Sequence, residues 1–202
     1  DPVNGCPWDK VQTHTSIRMN FLEEAYEAVD ALDLDDPVLM CEELGDVLMQ
    51  VAFHTCMEQE TGRFTWEQVC DGVCQKLIER HPNIFGTQPG YEGITDWDAL
   101  KNKEKGRRTL ADDLESVPRA MPALMRAAKL QKRAARHGAA LQGADAAALA
   151  DAAKNLQTAQ PASAQAEQAV GELLFAAANL ARQAGVDPEQ ALQKANEAFC
   201  TA

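Results

Sequence analysis

Two runs of carboxylates, each set in helix-period apolar sequence and parted by a single helix-breaking step, constrain this chain more than any other stretch. The first run is Glu23-Glu24-x-x-Glu27 and the second is Glu43-x-x-Asp46. Between them, Asp35-Asp36-Pro37 reads as one helix stopping and another starting, with an Asp as N-cap and Pro at the first helical position. Counted from Ile17, the residues Phe21, Leu22, Ala25, Ala28, Val29 and Leu32 share one helical arc, and Glu23, Glu24 and Glu27 share another. This predicts a helix over 16–32. The second arm, 38–58, is apolar nearly all the way round, through Leu39, Met40, Leu44, Val47, Leu48, Val51, Ala52 and Phe53. Such a helix is expected to be buried on most sides. Its polar positions, Glu42, Glu43, Asp46, Gln50 and His54, fall on one stripe. Gly45 inside it is about 1 kcal/mol less favourable than Ala and predicts close approach by a neighbour. Carboxylates on a buried arm need partners, and metal ions suit them better than lysine or arginine.

Charge distribution supports that reading. Residues 1–112 carry 22 acidic and 10 basic side chains, while residues 113–202 carry 9 of each, so the whole net charge of −12 belongs to the first half. A carboxylate-rich surface repels nucleic acid and membrane headgroups; neither a nucleic-acid polymer nor a membrane is an expected partner. No apolar run approaches the roughly 20 residues of a membrane span, and no signal peptide opens the chain. The start, Asp1-Pro2-Val3-Asn4-Gly5, reads as if an earlier segment preceded it. The six cysteines form no C-x-x-C pair and are expected as reduced thiols acting as small hydrophobes in a cytoplasmic protein.

Sparse aromatics (5%) and abundant alanine favour helix over strand throughout. After Gly62, Thr65 is placed to cap a helix over 66–80, which stops at His81-Pro82. A loop with Gly86, Pro89, Gly90 and Gly93 follows, then a short basic helix over 97–105 capped by Asp96. Further helices are predicted over 122–136, 144–156, 164–183 and 188–199. The first of these places Arg126, Lys129, Arg133 and Arg136 on one face, expected to be solvated. The chain is therefore read as all-α, in two domains, 1–112 and 113–202.

The second half repeats the first with changes. Glu43-Leu44-Gly45-Asp46-Val47-Leu48 is echoed by Ala169-Val170-Gly171-Glu172-Leu173-Leu174. In the echo the first acid has become Ala169. The helix before it offers only Asp145 and Asp151 where a Glu-Glu-x-x-Glu cluster is expected. The second copy reads as the same scaffold without its metal ligands.

Several carboxylates on two helices suit a hard cation with oxygen ligands, magnesium above all. A di-iron bundle would use Glu-x-x-His, and none of the four histidines has Glu three residues before it. The acid motifs, together with Cys6-Pro7-Trp8-Asp9, Gln12-Thr13, Glu43-Leu44-Gly45-Asp46, Arg80-His81-Pro82 and Met121-Pro122-Ala123-Leu124, resemble the MazG family of nucleoside triphosphate pyrophosphohydrolases. The resemblance covers nearly the whole chain, in the tandem layout of the longer members. It implies two MazG-like helical bundles of the all-α NTP pyrophosphatase fold, a homodimer, dependence on Mg2+ (with Mn2+ as a substitute), and hydrolysis of NTP or dNTP to monophosphate and pyrophosphate. In that reading Glu24, Glu27, Glu43 and Asp46 hold metal, and Glu23 or Glu24 orients the attacking water. Lys76, Arg80, Lys101 and Lys103 neutralise phosphate charge, and Trp97 stacks on the base or, equally, packs as a core residue at a helix start.

Two departures stand out. Where the family often has Arg-Arg-His-Pro, this chain has Glu79-Arg80-His81-Pro82, exchanging a cation for an acid. The C-terminal copy lacks its acids and is expected to be inactive. The rival reading is a catalytically weak nucleotide-binding or regulatory protein.

Overall fold

The computed structural model describes residues 3–86, 101–102 and 104–201, and among these it contains helices and no strand. The contacts divide the chain into two compact units, Asp1–Thr95 and Asp96–Ala202. The second unit takes in Asn102 and Leu110–Glu115, where Asp113 pairs with Arg133 and His137. The sequence reading placed the boundary later, between residues 112 and 113.

In the first unit a 3-10 turn, Asp9–Val11, leads to α1 (Arg18–Asp33) and α2 (Pro37–Glu60). The two pack side by side as a helical hairpin. The turn is short because Asp35 adopts a left-handed conformation at φ 52. Asp36 then caps α2, its Oδ1 accepting from the amides of Val38 (2.9 Å) and Leu39 (3.1 Å), with Pro37 at the first helical position. α2 ends in a Schellman motif, in which Gly62 N–H reaches the Gln59 carbonyl and Arg63 N–H the Glu58 carbonyl. Gly62 has φ 71, a conformation that only glycine adopts without steric cost. A capping box between Thr65 and Gln68 opens α3 (Trp66–Arg80), and a single-turn α4 (Pro82–Phe85) follows.

Burial in this unit departs from expectation. The buried apolar residues are few and small, chiefly Ile17, Ala28 and Ala31. α2 is not buried on most sides: Val38, Leu44, Leu48 and Met49 are exposed, and its buried residues are Gln50, Thr55 and Glu58. α1 covers one stripe and α3 touches little more, while α2's apolar character runs around the whole cylinder. Gly45 has no atom within 4 Å of where a Cβ would stand, so the close approach expected there is absent among the described residues. The helical cysteines are also exposed, not core, and all six thiols are free.

The second unit begins with α5 (Leu110–Glu115), followed by α6 (Ala123–Arg136), α7 (Ala146–Thr158), α8 (Ala164–Gln183) and α9 (Pro188–Cys200). α7 and α8 form a second hairpin, and α6 packs across α8. The core is built from alanines, including Ala134, Ala144, Ala152, Ala169, Ala176 and Ala178, whose small side chains let helices approach closely. Buried amides join the layers: Gln131 Nε2 donates to the Phe175 carbonyl at 2.7 Å, and Asn179 Nδ2 donates to the Ala144 carbonyl at 2.6 Å. The basic face expected on α6 is not simply solvated. Arg133 is buried against Asp113 (3.0 Å), and Arg136 lies 3.6 Å from the same carboxylate.

Candidate metal centre

The α1–α2 hairpin brings together three of the predicted carboxylates. One oxygen each from Glu24, Glu27 and Glu43 can be chosen so that all lie within 4.8 Å of one another. Glu24 and Glu27 share an arc of α1, and Glu43 projects from the facing stripe of α2. Convergence of like charges at this distance is unfavourable unless protons or cations intervene. Both effects reach the acids. Glu27 is pushed above the usual carboxylate range, first by loss of water around the group and then by the charges of Glu43, Glu24 and Glu23. Glu43 is raised likewise, by desolvation and then by Asp46, Glu42 and Glu24. The donors are all carboxylate oxygens, the set that suits a hard divalent cation.

The remaining predicted residues fall outside this group among the described residues. Asp46 lies outside the three-carboxylate group but bears on Glu43 as its strongest neighbouring charge. Glu23 is exposed on α1 and contributes to the field on Glu27. Lys76 and Arg80 lie on α3, Lys76 exposed and Arg80 partly covered. Glu79 Oε1 accepts from Gln75 Nε2 at 2.9 Å, within the exposed surface of α3. Lys101 is exposed and belongs to the second unit. Trp97 and Lys103 lie outside the described residues.

The α1-facing stripe of α2 continues beyond the acids, and here sequence reasoning stopped short. Gln50, 8% exposed, donates from Nε2 to Glu24 Oε1 at 3.3 Å. One turn on, the rings of His54 and His14 stack at 5.0 Å between centroids, with their Nδ1 atoms 2.7 Å apart. His14 Nε2 lies 2.5 Å from Glu58 Oε1, and Arg63 grips the same carboxylate through Nε (2.6 Å) and Nη2 (2.7 Å). Glu58 accepts from His14 Nε2–H, and at 2.7 Å the two Nδ1 atoms share one proton between them. Burial, then the neighbouring His14, lowers the pKa of His54. The i, i+4 series Asp46, Gln50, His54, Glu58 was the available signal, and its last member lay at the predicted end of the helix.

A groove of about 780 Å³ on α2, lined by Met49, Phe53 and Met57 with Cys6 and Gln12, does not include Glu24, Glu27 or Glu43. The chemistry is therefore placed by the carboxylates, not by cavity size. In the second unit the corresponding hairpin, α7–α8, holds no comparable group among the described residues. Ala169 is buried, Asp145 is used as the N-cap of α7, and Glu172 accepts from Gln168 Nε2 at 2.8 Å.

An all-α hairpin with carboxylates converging from both arms defines a class of helical proteins built to hold a hard cation. The comparisons with known proteins narrow the class. The family model of the MazG nucleotide pyrophosphohydrolase domain matches residues 12–85. The chain is 40% identical to the nucleoside triphosphate pyrophosphohydrolase of Escherichia coli K12, over 98% of this chain and 79% of that protein. It is 39% identical to the nucleoside triphosphate pyrophosphohydrolase/pyrophosphatase MazG of Thermotoga maritima, over 96% and 76%. The nucleoside triphosphate pyrophosphohydrolase of Mycobacterium tuberculosis is 38% identical over 65% of this chain and 41% of its own length. The chain belongs to the MazG nucleotide pyrophosphohydrolase family.

Proposed function

We propose that this protein hydrolyses nucleoside triphosphates, NTP or dNTP, to the monophosphate and pyrophosphate with Mg2+ as its metal. The observation that carries the reading is the convergence of Glu24, Glu27 and Glu43 within 4.8 Å across the hairpin. A triphosphate and a carboxylate cluster repel one another, so their meeting requires a cation between them. Mg2+ held by these carboxylates would polarise the phosphate and acidify water. The chain's own residues do the rest. Glu24, Glu27 and Glu43, with Asp46 beside Glu43, hold the cation. Glu23 or Glu24 orients the attacking water and takes its proton. Lys76 and Arg80 offset charge on the departing pyrophosphate. The same assignment for Lys101 and Lys103, and base stacking for Trp97, rest on the resemblance alone.

A homodimer in the cytoplasm completes the proposal. The exposed face of α2 around Leu44, Leu48 and Met49 supports a second copy of the chain as its cover, since exposed apolar patches of this kind mark interfaces. No helix among the described residues is long and apolar enough to cross a membrane. The test is incubation of the protein with a panel of NTPs and dNTPs plus Mg2+, with pyrophosphate measured. Release that disappears in Glu24→Gln/Glu27→Gln is the expected result. Tight nucleotide binding without pyrophosphate would instead identify a regulatory binder, and full activity in the double variant would overturn the site.

A further inference from the structure

We infer that Gln50 is a positioning residue of this centre, its Nε2 holding Glu24 in the orientation in which that carboxylate would meet a cation. The inference rests on the metal reading above and concerns a residue outside the acid motifs. Gln50 is 8% exposed, and its Nε2 lies 3.3 Å from Glu24 Oε1. The orientation follows from chemistry: with the amide turned over, two oxygens would face each other at that distance and repel. The donor therefore faces Glu24, and Gln50 Oε1 is left buried with no hydrogen-bond partner. Buried acceptors are nearly always satisfied, and exceptions call for a cause. This one belongs to the same planar group that touches the carboxylate cluster, so the amide is held there for what its donor does to Glu24 and not for its own satisfaction. Outer groups of this kind fix ligand orientation and are a regular part of metal sites.

The chain carries its own comparison. Aligning Gly45 with Gly171 places Ala169 at the position of Glu43 and Ala176 at that of Gln50. Ala176 is fully buried. The second hairpin therefore lacks the buried amide as well as the acid. A glutamine serving only to pack two helices would have no reason to be absent along with the carboxylate.

The experiment titrates the full chain with Mn2+, followed by electron paramagnetic resonance, for wild type, Gln50→Leu and Gln50→Glu, alongside metal-free thermal unfolding. For Gln50→Leu we expect an unchanged or higher metal-free Tm, because an orphaned acceptor is removed, and Mn2+ binding weaker by about 10- to 100-fold. Gln50→Glu, nearly isosteric, keeps the test decisive should the leucine variant not fold. Its Mn2+ binding should begin at higher pH than in wild type, because another carboxylate must first lose its proton. Mn2+ affinity within twofold of wild type in Gln50→Leu, an unmoved pH midpoint in Gln50→Glu, or weaker binding matched by a lower metal-free Tm would overturn the inference. Wild type that fails to bind Mn2+ overturns the metal reading itself, and this inference with it.

Discussion

Asp113 offers the sharpest test of the energetics. The residue is 1% exposed in the second unit. Arg133 Nη1 lies 3.0 Å from Oδ1, His137 Nε2 3.1 Å from Oδ2, and Arg136 Nη2 3.6 Å from Oδ2. Arg133, 5% exposed, depends on this carboxylate for charge balance. Removing one partner of such a buried pair costs about 3–5 kcal/mol, because the other charge is stranded. Arg133 keeps the Asp113 carbonyl (2.6 Å) and Ser116 Oγ, so Asp113→Ala should fall at the lower end, about 3 kcal/mol. For a domain near 100 residues that corresponds to a fall in Tm of about 12–24 °C. Calorimetry combined with urea unfolding measures it. The pH dependence provides a second readout. Burial alone would raise the carboxyl, but hydrogen bonds from Asn102 and His137 and the charges of Arg133 and Arg136 outweigh it and hold Asp113 below its ordinary value. The stabilisation is therefore complete above the unfolded-state pKa, about 3.9, and is lost as pH falls through the lower folded value. Wild type should lose stability more steeply than Asp113→Ala below about pH 4. A loss under about 1 kcal/mol, or identical acid limbs, would refute the argument.

Three further outcomes follow from the first unit. Glu27→Gln removes a charge from a crowded cluster. Because the folded carboxyl is raised, its ionisation disfavours the fold at neutral pH and the penalty is relieved as pH falls. The variant should unfold at higher temperature than wild type without metal at pH 7, lose that advantage in acid, and lose most of the Tm rise produced by Mg2+ or Mn2+; thermal scans with and without metal decide it. His54, held below its ordinary pKa, binds protons more readily when unfolded, so stability should decline as pH falls from about 6.5 through the folded value. His54→Phe should flatten that slope, and an unaltered slope in urea titrations at pH 5–7 would assign it elsewhere. Leu48, 57% exposed on α2, should tolerate Glu in the folded monomer but break the proposed dimer, so light scattering should report half the wild-type mass with unchanged helical circular dichroism.

Much of the architecture was legible because helix signals here are local. The Asp36-Pro37 start, the Thr65 cap and the Gly62 stop are chemical statements about one or two backbone groups, and the structure places helix ends at each. α5 was missed because six residues (Leu110–Glu115) give too little period to read, although its Thr109–Asp112 capping box was present in the sequence. The burial of α2 was misjudged because an apolar cylinder records that partners exist without saying whether the same chain supplies them. Within the site, spacing marked the acidic runs that contain Glu24, Glu27 and Glu43, and the family resemblance selected these among the acids. Gln50 could be seen as a polar exception, but its role depends on which atom faces Glu24, and spacing does not contain that information. The His14–His54 pair joins residues forty apart through an irregular segment with no repeat to follow, so only the folded chain brings it into view.

The Asp36 cap has a consequence for what kinds of change the hairpin can absorb. From cap to Glu43 is about two helical turns, so the cap sets the azimuth at which Glu43 meets α1. Slack can be taken up before Asp36, where Asp35 already swings through a left-handed conformation, because the cap re-establishes the start of α2 regardless of the path leading to it. A single residue gained or lost between Asp36 and Glu43 would instead swing the carboxylate by about 100° while leaving composition, charge and helix content almost untouched. The turn thus behaves as a tolerant hinge on one side of Asp36 and as an indexing notch on the other, and a length change a few residues downstream would disable the centre more thoroughly than many substitutions within it.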